Sequence, residues 1–479
     1  MSKIKIIICA IVSLVLILMP PAILVTAMVT TPPQYTETFF GALPQKFDRL
    51  TSTEEDKIIV VGGSSVAFGL DSALLEKYTG KPCVNFGLYA ALGTKLMLDL
   101  SRAGVSEGDI VVLAPELDAQ TLSMYFSSES TLQALDGRYD IARYVRGDSK
   151  LSLIGGMYKH TAEKLSYYKN GNAPSPVGVY RSDSFNEYGD IVWDRPENIM
   201  PFYYDPNTIV TLDESIVDDE FIDYLNEYIG FCKKRGAKVY FSFCPTNEMA
   251  LAEGTDSATI SAFEKYLKDN INCEFISFLD DYIMEAGYFY DTNFHLNDAG
   301  VTVRTLNLAK DIRIAEGDLT QLDVEYPKAP DLPMADVKYD GYDENEKYFI
   351  FERQENGAMK IVGLTELGMS ADTLTVPLGY EGFKVTSLGK EALSGSRATK
   401  LIITEDTNLR NMLDGAFDGS AIRDIYIYYV YEDEADILSP CSDFGGRNIH
   451  VFENSPYTWT YSWDGQNAKN KNIITDLTK

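Results

Sequence analysis

Only three histidines (His160, His295, His450) and three tryptophans occur in 479 residues, so imidazole chemistry can sit in very few places. The six cysteines, at positions 9, 83, 232, 244, 273 and 441, form no C-x-x-C pair, which argues against a thiolate-held zinc. Six are also too few for a disulfide scaffold in so long a chain. Cys9 lies in an apolar leader, and the remaining five are an odd number. At least one thiol stays free, and most are expected to be small core residues. Basic residues are short too, 42 against 71 acidic ones, for a net charge of −29. Such a surface repels phosphate backbones, so no nucleic-acid partner is expected. Neither the Gly-Lys-Ser/Thr ending of a P-loop nor a G-x-G-x-x-G occurs, and no cofactor or metal is expected.

What is present is ordinary for a globular chain: 45% hydrophobic and 24% charged residues. The length calls for more than one domain. Lys3 and Lys5 precede an uncharged run from Ile6 to Val29, long enough to cross a bilayer. The lysines place that end in the cytoplasm and the bulk outside. Residues 1–30 are therefore expected to be a single-pass membrane anchor. Pro20-Pro21 and the weak small-residue site Val25-Thr26-Ala27 keep a cleaved signal peptide, and hence a secreted protein, as the alternative. Residues 31–55, opening on Thr31-Pro32-Pro33, read as a stalk.

Strands and helices then alternate. Short apolar strands are expected at Lys57–Val61, Cys83–Phe86, Ile110–Leu113, Ala237–Phe243 and Cys273–Ser277. Helices are expected at Ser72–Tyr78, Thr94–Ala103 and Ser257–Lys268, and from the cap Asn297 to about Ile314. Phe221, Leu225, Tyr228, Ile229 and Cys232 form one apolar helical face. The alternation predicts an α/β domain over 56–316 with a doubly wound parallel sheet. A Tyr- and Gly-rich insert at 119–215 is read as a lid, a binding wall or a helical elaboration. Residues 317–344, acidic and Pro-containing, read as a linker. Beyond it, Glu391-Ala392-Leu393-Ser394-Gly395-Ser396 recurs as Gly415-Ala416-Phe417-Asp418-Gly419-Ser420, and Leu401 and Ile403 match Ile425 and Ile427 at the same offset of 24. Such a period marks a solenoid, so 345–430 is expected to be a short β-solenoid-like domain, with 431–479 (Trp459, Trp463) as its cap or tail.

In an open parallel sheet, ligands gather at the carboxyl ends of the strands. After the first strand comes Gly62-Gly63-Ser64-Ser65, after the second Asn85-Phe86-Gly87, after the third Pro115-Glu116-Leu117-Asp118, and after the fourth Cys244-Pro245-Thr246-Asn247. After the fifth comes Asp291-Thr292-Asn293-Phe294-His295. A serine on a Gly-rich turn and a histidine on a distant loop can form a nucleophile and its base, because a hydroxyl needs a base to be nucleophilic near neutral pH. A plain tight turn or an anion nest is the other use of such a loop. Glu116 is expected to be a hydrogen-bonded structural carboxylate.

This constellation resembles the SGNH/GDSL hydrolase superfamily over about 55–315. Gly63-Ser64-Ser65 with Gly69 fits its first block, which implies Ser65 as nucleophile. Gly87 fits its second block and implies an oxyanion donor beside the Ser65 N–H. His295 fits the base and Asp291 its orienting partner, although Asp291 stands four residues before the histidine where the family has three. At the third block, where the family offers Gly and Asn, this chain has Ala114-Pro115-Glu116-Leu117; Asn247 is the substitute donor considered. The segment Thr375–Gly389 resembles the entry to BspA-type leucine-rich repeats, covering 345–430. Together these resemblances imply an extracytoplasmic SGNH-like esterase or O-acyltransferase acting on acyl, chiefly acetyl, esters of cell-envelope glycans. The alternatives are a catalytically inactive surface binding or adhesion protein that uses the repeats, and an accessory subunit partnered with a membrane O-acyltransferase.

Overall fold

The structure, a computed structural model, describes residues 3–176, 178–200, 202–332, 337–354, 356–413, 415–428, 446–452 and 473–477, without the side chains of 3–11 and 15. Cys9, Cys441, Trp459 and Trp463 lie outside the described side chains. The chain opens with helix α1 (Lys3–Thr30), which holds Pro20 and Pro21 within it. Its Val12–Thr30 portion is apolar enough to cross a membrane or to serve as a signal sequence.

Residues 31–55 are not a stalk but part of the first domain. Leu43, Lys46, Phe47 and Leu50 recur at i, i+3, i+4 and i+7 and bury one face of helix α2 (Leu43–Ser52), while Phe39 and Phe40 enter the core just before it. Five parallel strands follow: β1 (Ile58–Gly62), β2 (Cys83–Gly87), β3 (Ile110–Ala114), β4 (Lys238–Phe241) and β5 (Glu274–Phe275). They pair in the order β2-β1-β3-β4-β5. The first three strands are buried at every position, because both faces are covered. Ile59, Val61, Val111 and Leu113 pack on one side with helices α5 (Thr94–Ser101), α8 (Asp219–Lys234) and α9 (Ser257–Asn270). Ile58, Val60, Ile110 and Val112 pack on the other with α4 (Ser72–Thr79) and α10 (Asp298–Ala315). Two very short helical pieces complete this part: α3 (Ser64–Ala67), and α6 (Ser128–Ala134), which packs on the long α7 (Ser149–Asn170). The insert is thus a helical cover whose Leu132, Leu135, Ile141 and Val145 complete the core.

His160 of α7 is buried, stacked on Tyr35 and bonded through Nε2 to the Tyr139 hydroxyl at 2.9 Å. Burial pushes its pKa down from 6.5 to about 4, the Lys164 cation adding to the effect while Asp136 and Glu129 oppose it. Between these values the unfolded chain binds a proton that the folded chain refuses. Stability should therefore fall as pH drops from 6.5 to 4, by on the order of 3 kcal/mol, and level off below. Denaturant midpoints across that range check this: His160→Phe should lose that part of the decline, and an unchanged decline would show that other groups carry it.

The remainder of the chain forms separate sheets. Strands Thr373–Thr375, Lys400–Ile403, Asp424–Ile427, Asn448–Phe452 and Ile473–Leu477 run parallel in that order. The matched residues pair in register, Leu401 with Ile425 and Ile403 with Ile427. The ladder continues from Ile425 to Ile449 and Ile473, so the repeat runs past residue 430 into the expected tail. The linker is docked at both ends. The Tyr288 hydroxyl donates to the Pro327 carbonyl, and the Lys384 and Tyr339 amides bond across Val337 and Gly382.

Candidate functional site

The carboxyl ends of β1 and β3 lie side by side, Gly62 opposite Ala114. Gly63, extended at φ −80° and ψ −156°, ends the strand, and α3 starts at Ser64. A side chain on Gly63 would strike Glu116 Oε1 at 2.7 Å. Glycine here lets the Glu116 carboxyl close against the turn.

The structure brings together His295, Asp291 and Ser64. His295 Nε2 is 2.8 Å from Ser64 Oγ, and His295 Nδ1 donates to Asp291 Oδ1 at 2.8 Å. This corrects the expectation for Ser65. Consecutive helical residues are rotated by about 100°, so with Ser64 turned toward the histidine, Ser65 turns into the domain. Its hydroxyl is buried with no hydrogen-bond partner. The four-residue spacing of Asp291 and His295 is absorbed by a turn in which Thr292 Oγ1 accepts the amides of Phe294 and His295.

The histidine is held on three sides. The Phe68 ring stacks on it at 3.8 Å between centroids and 4° between planes. Asp291 fixes one nitrogen, and the Tyr180 hydroxyl in turn donates to Asp291 Oδ2 at 2.6 Å. Burial and the Asp291 charge raise the Tyr180 pKa well above 10, so it stays a donor. Tyr180 and Phe68 were missed in the sequence. Phe68 was visible as the aromatic in the Ser64-to-Gly69 turn, whereas Tyr180 comes from the insert with no local signal.

The three expected oxyanion donors are all engaged. The Ser65 amide donates to Glu116 Oε1 at 2.6 Å. The Gly87 amide donates to Asn85 Oδ1 at 3.0 Å. Asn247 caps the turn after it, accepting the Met249 amide and donating to the Tyr203 carbonyl; it does not reach the serine. Asn85 is held by Asp190, and the Gly87 carbonyl accepts Lys46 Nζ at 2.7 Å. A residue of the segment read as a stalk therefore braces the end of β2.

Glu116 is hydrogen-bonded as expected, and it also lies on the serine. Its Oε1 lies 3.1 Å from Ser64 Oγ as well as on the Ser65 amide. Burial raises its pKa, and the Asp118 charge adds to this; the Ser65 amide, the Ser64 hydroxyl and His295 pull the other way. Ser64 has one hydrogen and two neighbours that could accept it. With His295 protonated on Nδ1 toward Asp291, Nε2 is an acceptor, so the Ser64 hydrogen belongs to the histidine. Glu116 Oε1, which already accepts the Ser65 amide, is the other acceptor for that hydrogen, and takes it only when the Ser64 hydroxyl turns away from His295. An ionised Glu116 competes with His295 for the same hydrogen.

A cavity of about 430 Å³ opens over Ser64 and His295, walled by Tyr89, Tyr180 and Phe294 and edged by Asp118, Asp205 and Thr208. No lysine or arginine is among its lining residues. Both edge carboxylates are turned into local caps, Asp118 on the Gln120 and Thr121 amides and Asp205 on the Asn207 amide. Among the described residues no cluster of His, Cys, Asp and Glu could hold a metal ion. The chain matches no protein-family profile, no curated protein and no solved structure.

Proposed function

We propose that the chain is an extracytoplasmic, membrane-anchored acyl-transfer enzyme of the SGNH type, an esterase or O-acyltransferase on acetyl or similar esters of envelope glycans. The observation that carries this reading is the unbroken Ser64–His295–Asp291 relay, with both contacts at 2.8 Å. In the proposed reaction Ser64 Oγ attacks an acyl carbonyl while His295 Nε2 takes its proton. Asp291 stabilises the resulting imidazolium, and Tyr180 holds Asp291. The alkoxide leaving group takes the proton back from His295, leaving an acyl-Ser64 that water or a sugar hydroxyl then resolves. The Glu116 carboxyl stands where the resembled family has its asparagine, 3.1 Å from Ser64 Oγ, and burial raises its pKa toward the acid form that can donate to a developing oxyanion. Aromatic walls and the absence of cationic lining suit an uncharged acyl sugar better than a phosphate or carboxylate substrate. The N-terminal helix is read as the anchor, and the repeats as a glycan- or protein-facing module of the leucine-rich type.

A second reading, an inert scaffold whose repeats do the binding or which serves a membrane O-acyltransferase, is favoured by one observation. The Ser65 amide is already filled by Glu116. A fluorophosphonate probe separates the two readings. It should label the full-length protein on Ser64, found by peptide mass, and heat unfolding should abolish the labelling. Native protein that takes up no label would leave the scaffold.

A further inference from the structure

Helix α7 presents an apolar face whose N-terminal half is left exposed among the described residues. Leu151, Ile154 and Tyr158 are 69%, 65% and 75% exposed. They stand at i, i+3 and i+7, and Ala162 and Leu165 continue the same stripe at i+11 and i+14. The opposite face is committed to the domain: Ser149, Leu153, His160 and Lys164 are buried there. The stripe runs into a groove of about 750 Å³ between α7 and the C-terminal part of α1, where Pro20, Ile23, Leu24 and Ala27 face Tyr158, Ala162 and Leu165. The two helices are clamped at the top of this groove, where Lys164 Nζ donates to the Met28 carbonyl at 2.9 Å.

The length of α1 says where this groove lies. Its 28 residues span about 42 Å at 1.5 Å per residue. A bilayer core of about 30 Å takes about 20 of them. Counted from the lysines at the cytoplasmic end, the surplus falls at the C-terminal end, so the groove straddles the outer boundary of the core. The charge on α7 agrees. In a chain of net charge −29 it carries Lys150, Lys159, Lys164 and Lys169 against the single acid Glu163. Lys159 and Lys164 are paired with Glu129 and Asp136, which leaves Lys150 and Lys169 exposed at the two ends of the helix. An apolar stripe with tyrosines and terminal lysines is the composition of a helix resting in a headgroup layer.

We infer that α7 is a second membrane contact. Its Leu151–Leu165 stripe lies in the outer leaflet beside α1, with acyl chains filling the groove and anionic headgroups meeting Lys150 and Lys169. The inference rests on α1 being an uncleaved anchor. It adds that the catalytic domain is held against the lipid surface at a fixed orientation rather than hanging from a tether.

The test uses the full chain reconstituted in vesicles of phosphatidylglycerol and phosphatidylcholine, with an apolar carbene-generating photolabel dissolved in the bilayer. Peptides covering both 12–30 and 151–165 should be labelled. Replacing Leu151, Ile154 and Tyr158 together by serine should bring labelling of 151–165 to background and leave that of 12–30 unchanged. Label on α1 with none on α7 overturns the inference while sparing the anchor. Label on neither overturns both. A chain that leaves α7 unlabelled but cross-links to a second copy through 151–165 assigns the groove to a dimer and also overturns the inference.

Discussion

Ser64→Ala should lower turnover of an acetyl ester by about 10⁴-fold or more, whereas Ser65→Ala should leave it within about tenfold. The two residues are neighbours of the same type, so the pair is its own control for polarity, size and expression. The difference is in what each hydroxyl touches. Ser64 Oγ has His295 Nε2 at 2.8 Å and opens on the cavity. Ser65 Oγ is buried and makes no hydrogen bond; its only site contact is through the backbone amide, which alanine keeps. Removing an unsatisfied buried hydroxyl is neutral to stabilising, so Ser65→Ala should unfold at the same denaturant concentration as the parent or a higher one. Equal losses in both variants would show that the hydroxyl on the histidine is not the attacking one. Loss in Ser65→Ala alone would restore the assignment made from motif spacing.

That misassignment by one residue shows where the sequence stops being legible. Strand positions, the helix faces and the cap at Asn297 could be read, because each rests on local periodicity or on one side chain bonding its own turn; Asn297 Oδ1 accepts the Gly300 amide as expected. The ends of the sheet could also be read as the place where the serine turn and the His295 loop meet, since parallel order follows from strand–helix alternation. Which of two adjacent serines faces the cavity depends on where the first helical turn begins after Gly63, and residue spacing does not encode that. The stalk was misread because its prolines were weighed and the Leu43–Leu50 face was not. Tyr180 and Lys46 reach the site from far along the chain, through contacts no local pattern announces. Glu116 was placed correctly after β3, yet its closeness to Ser64 Oγ and the rise of its pKa through burial beside Asp118 appear only on folding.

Glu116 therefore yields the second large effect, and it is one of pH. Activity in the parent should need Glu116 protonated and His295 neutral at once. Because burial raises the Glu116 pKa, the acid form persists above the usual carboxylate range. Activity should then fall on the alkaline side as that proton is lost, approaching tenfold per pH unit beyond the folded-state pKa. Glu116→Gln removes the titration and keeps the stronger bond: with its carbonyl at the Oε1 position it still accepts the Ser65 amide, on the oxygen that Ser64 Oγ also touches. That variant should hold its activity through the pH range in which the parent loses it. Glu116→Ala leaves nothing to donate and should lose about 10²- to 10³-fold at every pH. Stability should move with the same proton. A carboxyl whose pKa is raised by folding binds more protons folded than unfolded, so the parent loses stability as pH rises through the ordinary carboxylate range and up to the raised value, and Glu116→Gln does not. Rate profiles and denaturant midpoints of the three proteins, measured across the same pH range, check both. A Glu116→Gln profile that keeps the alkaline limb would remove the proton on Glu116 from the mechanism and return the residue to a structural role.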